Sequence, residues 1–246
     1  MCTEISTDAF ETDLVKDLDV DISCAKVSFQ KACDNKILVT AENLTEGKYH
    51  CRLKGNRLVV SYQCPRISLF PRLHSTAPEI TLYLPANFAL DHMKLAVGAG
   101  KVYMETIPFS CQKIYADLGA GQWHARQLSV SDSLCIKTGA GNVQLEKTHA
   151  NSFQLECGAG SCTFEGHIGS NMKISCGVGN CRLLLENRAE DFDYDLSCGL
   201  GKISVNGDRI KYSGSKKTAC TGHALGTAVL ECGIGNIELI TKGEDC

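Results

Sequence analysis

The sequence predicts an all-β protein, a single-stranded parallel β-solenoid (β-helix) of about seven coils. Three observations carry that expectation. Gly-x-Gly occurs seven times, at steps of 21, 20, 19, 19, 22 and 34 residues, and a fixed period near twenty marks a repeat that stacks one unit on the next. Around every copy, apolar and polar residues alternate, which is the period of a strand with one buried face. No stretch sustains the 3.6-residue period of a helix.

The copies are VGAGK (Val97 to Lys101), LGAGQ (Leu118 to Gln122), TGAGN (Thr138 to Asn142), CGAGS (Cys157 to Ser161), CGVGN (Cys176 to Asn180), CGLGK (Cys198 to Lys202) and CGIGN (Cys232 to Asn236). The slot five residues before the first glycine holds Met93, Ile114, Leu134, Phe153, Met172, Tyr194 and Ala228. The slot one residue before holds Val97, Leu118, Thr138, Cys157, Cys176, Cys198 and Cys232. The residue between the glycines continues the same apolar series, from Ala99 to Ile234, and is expected to point inward with it. Beyond the second glycine come a polar slot and then an apolar one, which holds Val102, Trp123, Val143, Cys162, Cys181, Ile203 and Ile237. Each coil therefore reads as strand, bend, strand and polar return.

The bend belongs to the glycine pairs Gly98 and Gly100, Gly119 and Gly121, Gly139 and Gly141, Gly158 and Gly160, Gly177 and Gly179, Gly199 and Gly201, and Gly233 and Gly235. Glycine suits it for two reasons. It reaches backbone angles closed to other residues, and it lets neighbouring coils approach closely. Seven coils at roughly 4.8 Å spacing make a rod of about 34 Å.

The ends need caps, because exposed strand edges invite association. The long last step leaves Asn206 to Gly222 as an insertion, expected to form a hairpin near the C-terminal end. Residues 1–64 are expected to form a degenerate N-terminal coil and capping segment, and 65–246 the repeat array, as one continuous domain. DISCAKVSF (Asp21 to Phe29) matches DLSCGLGKISV (Asp195 to Val205) if its bend is shortened, which predicts an eighth, atypical coil. NRLVVSYQ and ITLYLP supply further strands, and all five prolines lie between Pro65 and Pro108.

With the repeats laid out, the chain resembles the putative-adhesin, or toastrack, family of bacterial β-strand repeat proteins of unknown function. The residues that carry the resemblance are ITLYLPANFALDHMKLAVGAGKVYME (Ile80 to Glu105), the coils that follow, and the opening DLDVDISCAKVSFQKACDNKILVTAEN (Asp17 to Asn43). It covers nearly the whole chain. It implies a β-repeat fold, a binding role and, through partners, a link to envelope-stress systems.

Composition narrows the function. A net charge of −3 gives no general attraction to nucleic acid or anionic lipid. The basic run Lys211, Lys216 and Lys217 reads as a solvated loop. No signal-peptide pattern opens the chain and no run of 18 apolar residues exists, so the expectation is a cytoplasmic protein with no membrane span. The 15 cysteines then read as free thiols in a reducing compartment.

The sharpest candidate site is Cys157, Cys162, Cys176 and Cys181, whose C-x4-C-x13-C-x4-C spacing invites a zinc or iron–sulfur reading. The same two slots hold Val97 and Val102, Leu118 and Trp123, or Thr138 and Val143 in other coils. A slot that accepts Val, Leu or Ile wants an apolar filler, and buried free cysteine is one. The expectation is core packing with no metal, with disulfides between stacked coils as a third possibility.

No Gly-x-Gly opens a helix, so none is a nucleotide loop, and no coil has the calcium-binding Gly-Gly-x-Gly-x-Asp pattern. No Gly-x-Ser-x-Gly elbow occurs. The seven histidines, His50, His74, His92, His124, His149, His167 and His223, occupy different repeat slots. The acidic group Glu190, Asp191, Asp193 and Asp195 reads as a turn, and Trp123 as core.

The expectation is a non-enzymatic binding or scaffolding module without a cofactor. Its partner is another protein or a second copy of itself. The rival readings are an enzyme or binder acting on extended glycans along one face, which needs aligned acids and aromatics over three coils, and a cysteine-ligated metal or redox protein.

Overall fold

The computed structural model describes residues 4–63, 77–211, 214–218 and 224–242. Within them, 22 strands join one continuous sheet, and the remaining regular structure is two short 3-10 turns, Thr12–Leu14 and Ala189–Asp191. The fold is all-β. Pro65, Pro71, His74, His223 and residues 212–213 and 219–222 of the insertion lie outside the described residues.

Two long parallel ladders run through the sheet. The first stacks the strands that precede the bends. In spatial order these are Arg57–Tyr62, Asp17–Ile22, Ala89–Val97, Phe109–Leu118, Leu128–Thr138, the end of Asn142–Cys157, Met172–Cys176, Gly226–Cys232 and Phe192–Cys198. The second stacks the strands that follow the bends, from Glu79–Leu84 through Lys26–Lys31, Lys101–Met104, Gln122–Arg126, the start of Asn142–Cys157, Ser161–Ile168, Asn180–Arg188 and Asn236–Lys242 to Lys202–Val205. A short third run pairs Leu90, Cys111, Val130, Ala150 and Ile168. The inward residues of all three form one core: Met93, Leu95, Val97, Val102 and Met104 of the first Gly-x-Gly coil are all 2 % exposed or less.

Period-two alternation located these strands correctly, and the register is the one that aligned motifs imply: Val97 on Leu118, Leu118 on Thr138, Thr138 on Cys157, Cys157 on Cys176. The stacking order differs from a solenoid wound in chain order. The last coil in sequence, at Gly233, lies between the coils at Gly177 and Gly199. The chain first builds the end coil and then returns to fill the gap, and the long last step is the length that this detour needs. Asn187 caps the short third run at Ile168. Its buried side chain accepts from Ile168 N–H and donates to Ile168 C=O, both at 2.9 Å, and so acts as a substitute strand.

Among the described residues, the two strands of the insertion do not pair with each other. Asp208–Lys211 lies antiparallel on Lys202–Val205, and Gly214–Thr218 lies antiparallel on Phe192–Cys198, so the two strands cap the two ladders separately. The N-terminal end is capped likewise. Lys36–Leu44 lies antiparallel between Glu79–Leu84 and Glu4–Glu11, and Tyr49–Lys54 lies antiparallel on Arg57–Tyr62. Antiparallel caps end a parallel stack without repeating its twenty-residue period.

Three further expectations are corrected. The bend of the atypical N-terminal coil is not shortened. Ser23, Cys24 and Ala25 lie under Gly98, Ala99 and Gly100 one for one, with Gly98 N–H donating to Ile22 C=O, Ala99 to Ser23 and Lys101 to Ala25. The residue between the glycines points outward: Val178 and Ile234 are 62 % exposed and Leu200 67 %. The hydrogen bonds continue through the bend from coil to coil, and that geometry turns this side chain to the corner. Finally, none of the fourteen bend glycines has a positive φ. Close approach is therefore the reason for glycine here. A Cβ at Gly158 or Gly177 would meet the carbonyl oxygen of the glycine one coil below at 2.8 Å.

Candidate functional site

Two places concentrate chemistry. The first is inside the stack, where strand register brings the cysteine slots together. Cys157 and Cys176 are ladder partners, and so are Cys162 and Cys181. All four are buried. The sulfurs of Cys157, Cys176 and Cys181 all lie within 4.8 Å of one another. Cys157 completes this trio because its sulfur leans into the coil above: a Cβ on Gly179 would touch it at 3.1 Å. Cys232 continues the column on Cys176, but Ile237 faces it where Cys181 faces Cys176. The sequence singled out four cysteines, and the structure brings three of them to one point with Cys162 alongside. All eleven cysteines of the described residues are free thiols.

The trio shares its protons. Hydrogen bonds from the Cys176 and Cys181 thiols draw the Cys157 thiol well below the ordinary value. The same bonds to Cys157 hold Cys176 and Cys181 up. One sulfur of the group ionises first, and its charge then retains the other protons. Burial drives Cys162 upward.

The second place is on the outer face of the first ladder. Neighbouring strands place Arg57, Asp17, His92, Lys113 and Ser133 in one row, a residue per strand. A groove of about 390 Å³ follows that row, with Lys94 and Tyr115 in its wall. Asp17 anchors it: its carboxylate accepts from His92 Nδ1 at 2.9 Å and from Arg57 at 3.1 Å. Burial pushes the Asp17 carboxyl up, but the bonds from His92 and Arg57 outweigh it and hold the group below its ordinary value. Sequence reasoning missed this row, because its residues come from strands 40 to 75 positions apart in the chain.

A smaller cleft of about 210 Å³ on the second ladder holds Glu105, His124, Arg126 and Glu146. Beside it the Tyr103 and His124 rings stack, with centroids 5.6 Å apart. The rings span two coils and the two acids flank Arg126, with Gln144 following His124 in the ring column. Trp123 is buried as expected. Asp191 of the acidic turn has a structural task, accepting from Arg188 N–H at 2.9 Å. Among the described residues, no helix is long and apolar enough to cross a membrane.

No curated protein matches the sequence. Among solved structures, a putative cell adhesion protein from Clostridium sporogenes is similar at 14% identity and TM-score 0.45, covering 98% of this chain and 100% of its own. A putative adhesin from Bacteroides fragilis is similar at 12% identity and TM-score 0.43, with 96% of each chain covered. A putative lipid binding protein from Parabacteroides distasonis is similar at 9% identity and TM-score 0.38, covering 95% of this chain and 96% of its own. The family model described as Toastrack DUF4097 matches residues 15–218, and the chain belongs to that family.

Proposed function

We propose that the protein is a non-enzymatic binding module, a solenoid-like rod that presents its outer groove to an extended segment of a protein partner or of a second copy of itself. The observation that carries this reading is the row Arg57, Asp17, His92, Lys113 with Tyr115 and Lys94 in the groove wall. Both charge signs and an aromatic ring lie on one rigid surface, which is the mixture that protein interfaces use. The strands beneath are fixed by a continuous core, so the face is organised before anything binds. The test is a photo-crosslinking residue at Tyr115, compared with one at Thr163 on the second ladder. A discrete adduct from Tyr115 alone supports the reading, and equal yield from both positions refutes it.

The stacked Tyr103 and His124 beside Glu105 and Glu146 favour a second reading, an acid- and aromatic-lined face that holds an extended glycan. Retention on immobilised polysaccharide that is lost in Tyr103→Ala and kept in Tyr115→Ala would select it over the first.

A further inference from the structure

We propose that Cys157, Cys176 and Cys181 form a buried site for a thiophilic closed-shell ion, Cu(I) or Zn(II), which ties two adjacent coils together. Register alone does not produce the site, since other cysteines share the same columns. It appears where one coil carries cysteine on both sides of its bend and the coil below supplies a third sulfur leaning under the bend glycine. Cys176, Cys181 and Cys157 meet that condition. In the coil at Gly199, Cys232 leans in the same way under Gly201, but the far side of that bend is Ile203, so only Cys198 faces it.

The dimensions fit. Metal–sulfur bonds of about 2.3 Å put thiolates roughly 3.8–4.0 Å apart around a tetrahedral or trigonal ion. The trio lies within 4.8 Å, so the sulfurs close by less than about an ångström, within the reach of side-chain rotation. Donor chemistry selects the ion class. Three thiolates shut away from water suit soft ions and reject calcium or magnesium. Backbone amides also face the sulfurs, with Gly160 hydrogen-bonding Cys157 and Asn236 hydrogen-bonding Cys176. Such donors stabilise bound thiolate. Cys162 beside the trio is the fourth ligand that Zn(II) would recruit, whereas Cu(I) is complete with three. Each ligand binds as its thiolate, any proton it still holds passing to solvent, and no electron is transferred.

The proposal is independent of the outer groove, and its test uses the reduced full chain. Cu(I) from a cuprous chelator buffer and Zn(II) are titrated separately, and bound metal is counted after gel filtration. The expected result is about one ion per chain, lost in Cys176→Val and in Cys181→Val and retained in Cys232→Val. In Cys162→Val, Cu(I) should be retained on three sulfurs and Zn(II), which takes four, should be lost. Should a valine variant fail to fold, Co(II) loading of the unaltered chain decides the matter through its thiolate charge-transfer absorbance. An intensity for three or four thiolates supports the site, and an intensity for fewer overturns it. Absence of a stoichiometric ion on the folded, reduced chain, or uptake that survives Cys176→Val, overturns it equally.

Discussion

Replacing Gly179 by alanine should damage the fold more than replacing Gly177, although both belong to one bend. At Gly177 the new Cβ meets a single obstacle, the Gly158 carbonyl oxygen at 2.8 Å. A carbon–oxygen contact settles near 3.3 Å, so the coil must yield by about half an ångström. It yields against tight hydrogen bonds, since Gly177 N–H to Cys157 and Val178 N–H to Gly158 are both 2.8 Å. Overpacking of this size costs about 1–2 kcal/mol. At Gly179 the Cβ runs into the Gly160 carbonyl more closely, with its carbon at 3.0 Å, and also meets the Cys157 sulfur at 3.1 Å. Backbone on one side and a buried side chain on the other leave no direction of escape, so the cost should reach about 3 kcal/mol. Asn180→Ser lies in the exposed slot that already accepts Ser161 and should stay within about 0.5 kcal/mol. Urea unfolding of the three variants, at unchanged m-value, measures the order directly. If Gly179→Ala were as stable as Asn180→Ser, close approach between coils would not be what fixes these glycines.

Asn187→Leu should cost about 2–4 kcal/mol, because it strands both the N–H and the C=O of buried Ile168; the same urea titration would show it, and a loss under 1 kcal/mol would rule out the substitute-strand role. The Asp17 carboxyl is held below its ordinary value of 3.8, so its contribution is complete above that pH and is lost as pH falls through the lower folded value. Melting temperatures of Asp17→Asn should therefore fall less steeply than wild type below about pH 4, and parallel acid limbs would contradict the assignment. Native labelling at pH 8 should be fast at exposed Cys24 and Cys33 and slow until unfolding at buried Cys111, Cys157 and Cys176, with burial excluding the reagent from all three and also pushing the Cys111 thiol up to about 12. In metal-free protein Cys176→Val should be tolerated within about 1.5 kcal/mol, since valine occupies the same slot at Val97; a larger loss would mean that the sulfur contributes more than volume.

Alternation and the glycine period made the ladders legible, and with them the register that sets Cys157 on Cys176. Both signals are local, and strand geometry turns a local pattern directly into position. The stacking order was not legible, because nothing within the coil at Gly233 distinguishes stacking on Gly177 from stacking on Gly199. The order shows only in the pairings themselves, Met172–Cys176 on Gly226–Cys232 and Gly226–Cys232 on Phe192–Cys198. The outward turn of Val178, Leu200 and Ile234 was equally hidden. A simple count of alternate residues assumes an extended chain, and the count fails where the chain bends.

The cysteines show the same boundary between slot and neighbourhood. Comparing coils slot by slot asks whether each position tolerates valine, and it treats the positions as independent. A ligand site is a property of several positions at once. Cys157 has the same slot as Val97, and Cys181 the same slot as Ile237, so neither is unusual alone. What is unusual is that the coil above Cys157 carries cysteine on both sides of its bend, under a glycine that leaves room for the Cys157 sulfur. If packing alone selected sulfur there, valine at any one of the three positions would act alike and metal content would not change. If an ion selected it, removing any one of the three would empty the site while leaving the stack folded. Stability alone cannot separate those two outcomes, which is why the metal count is the measurement that decides between them.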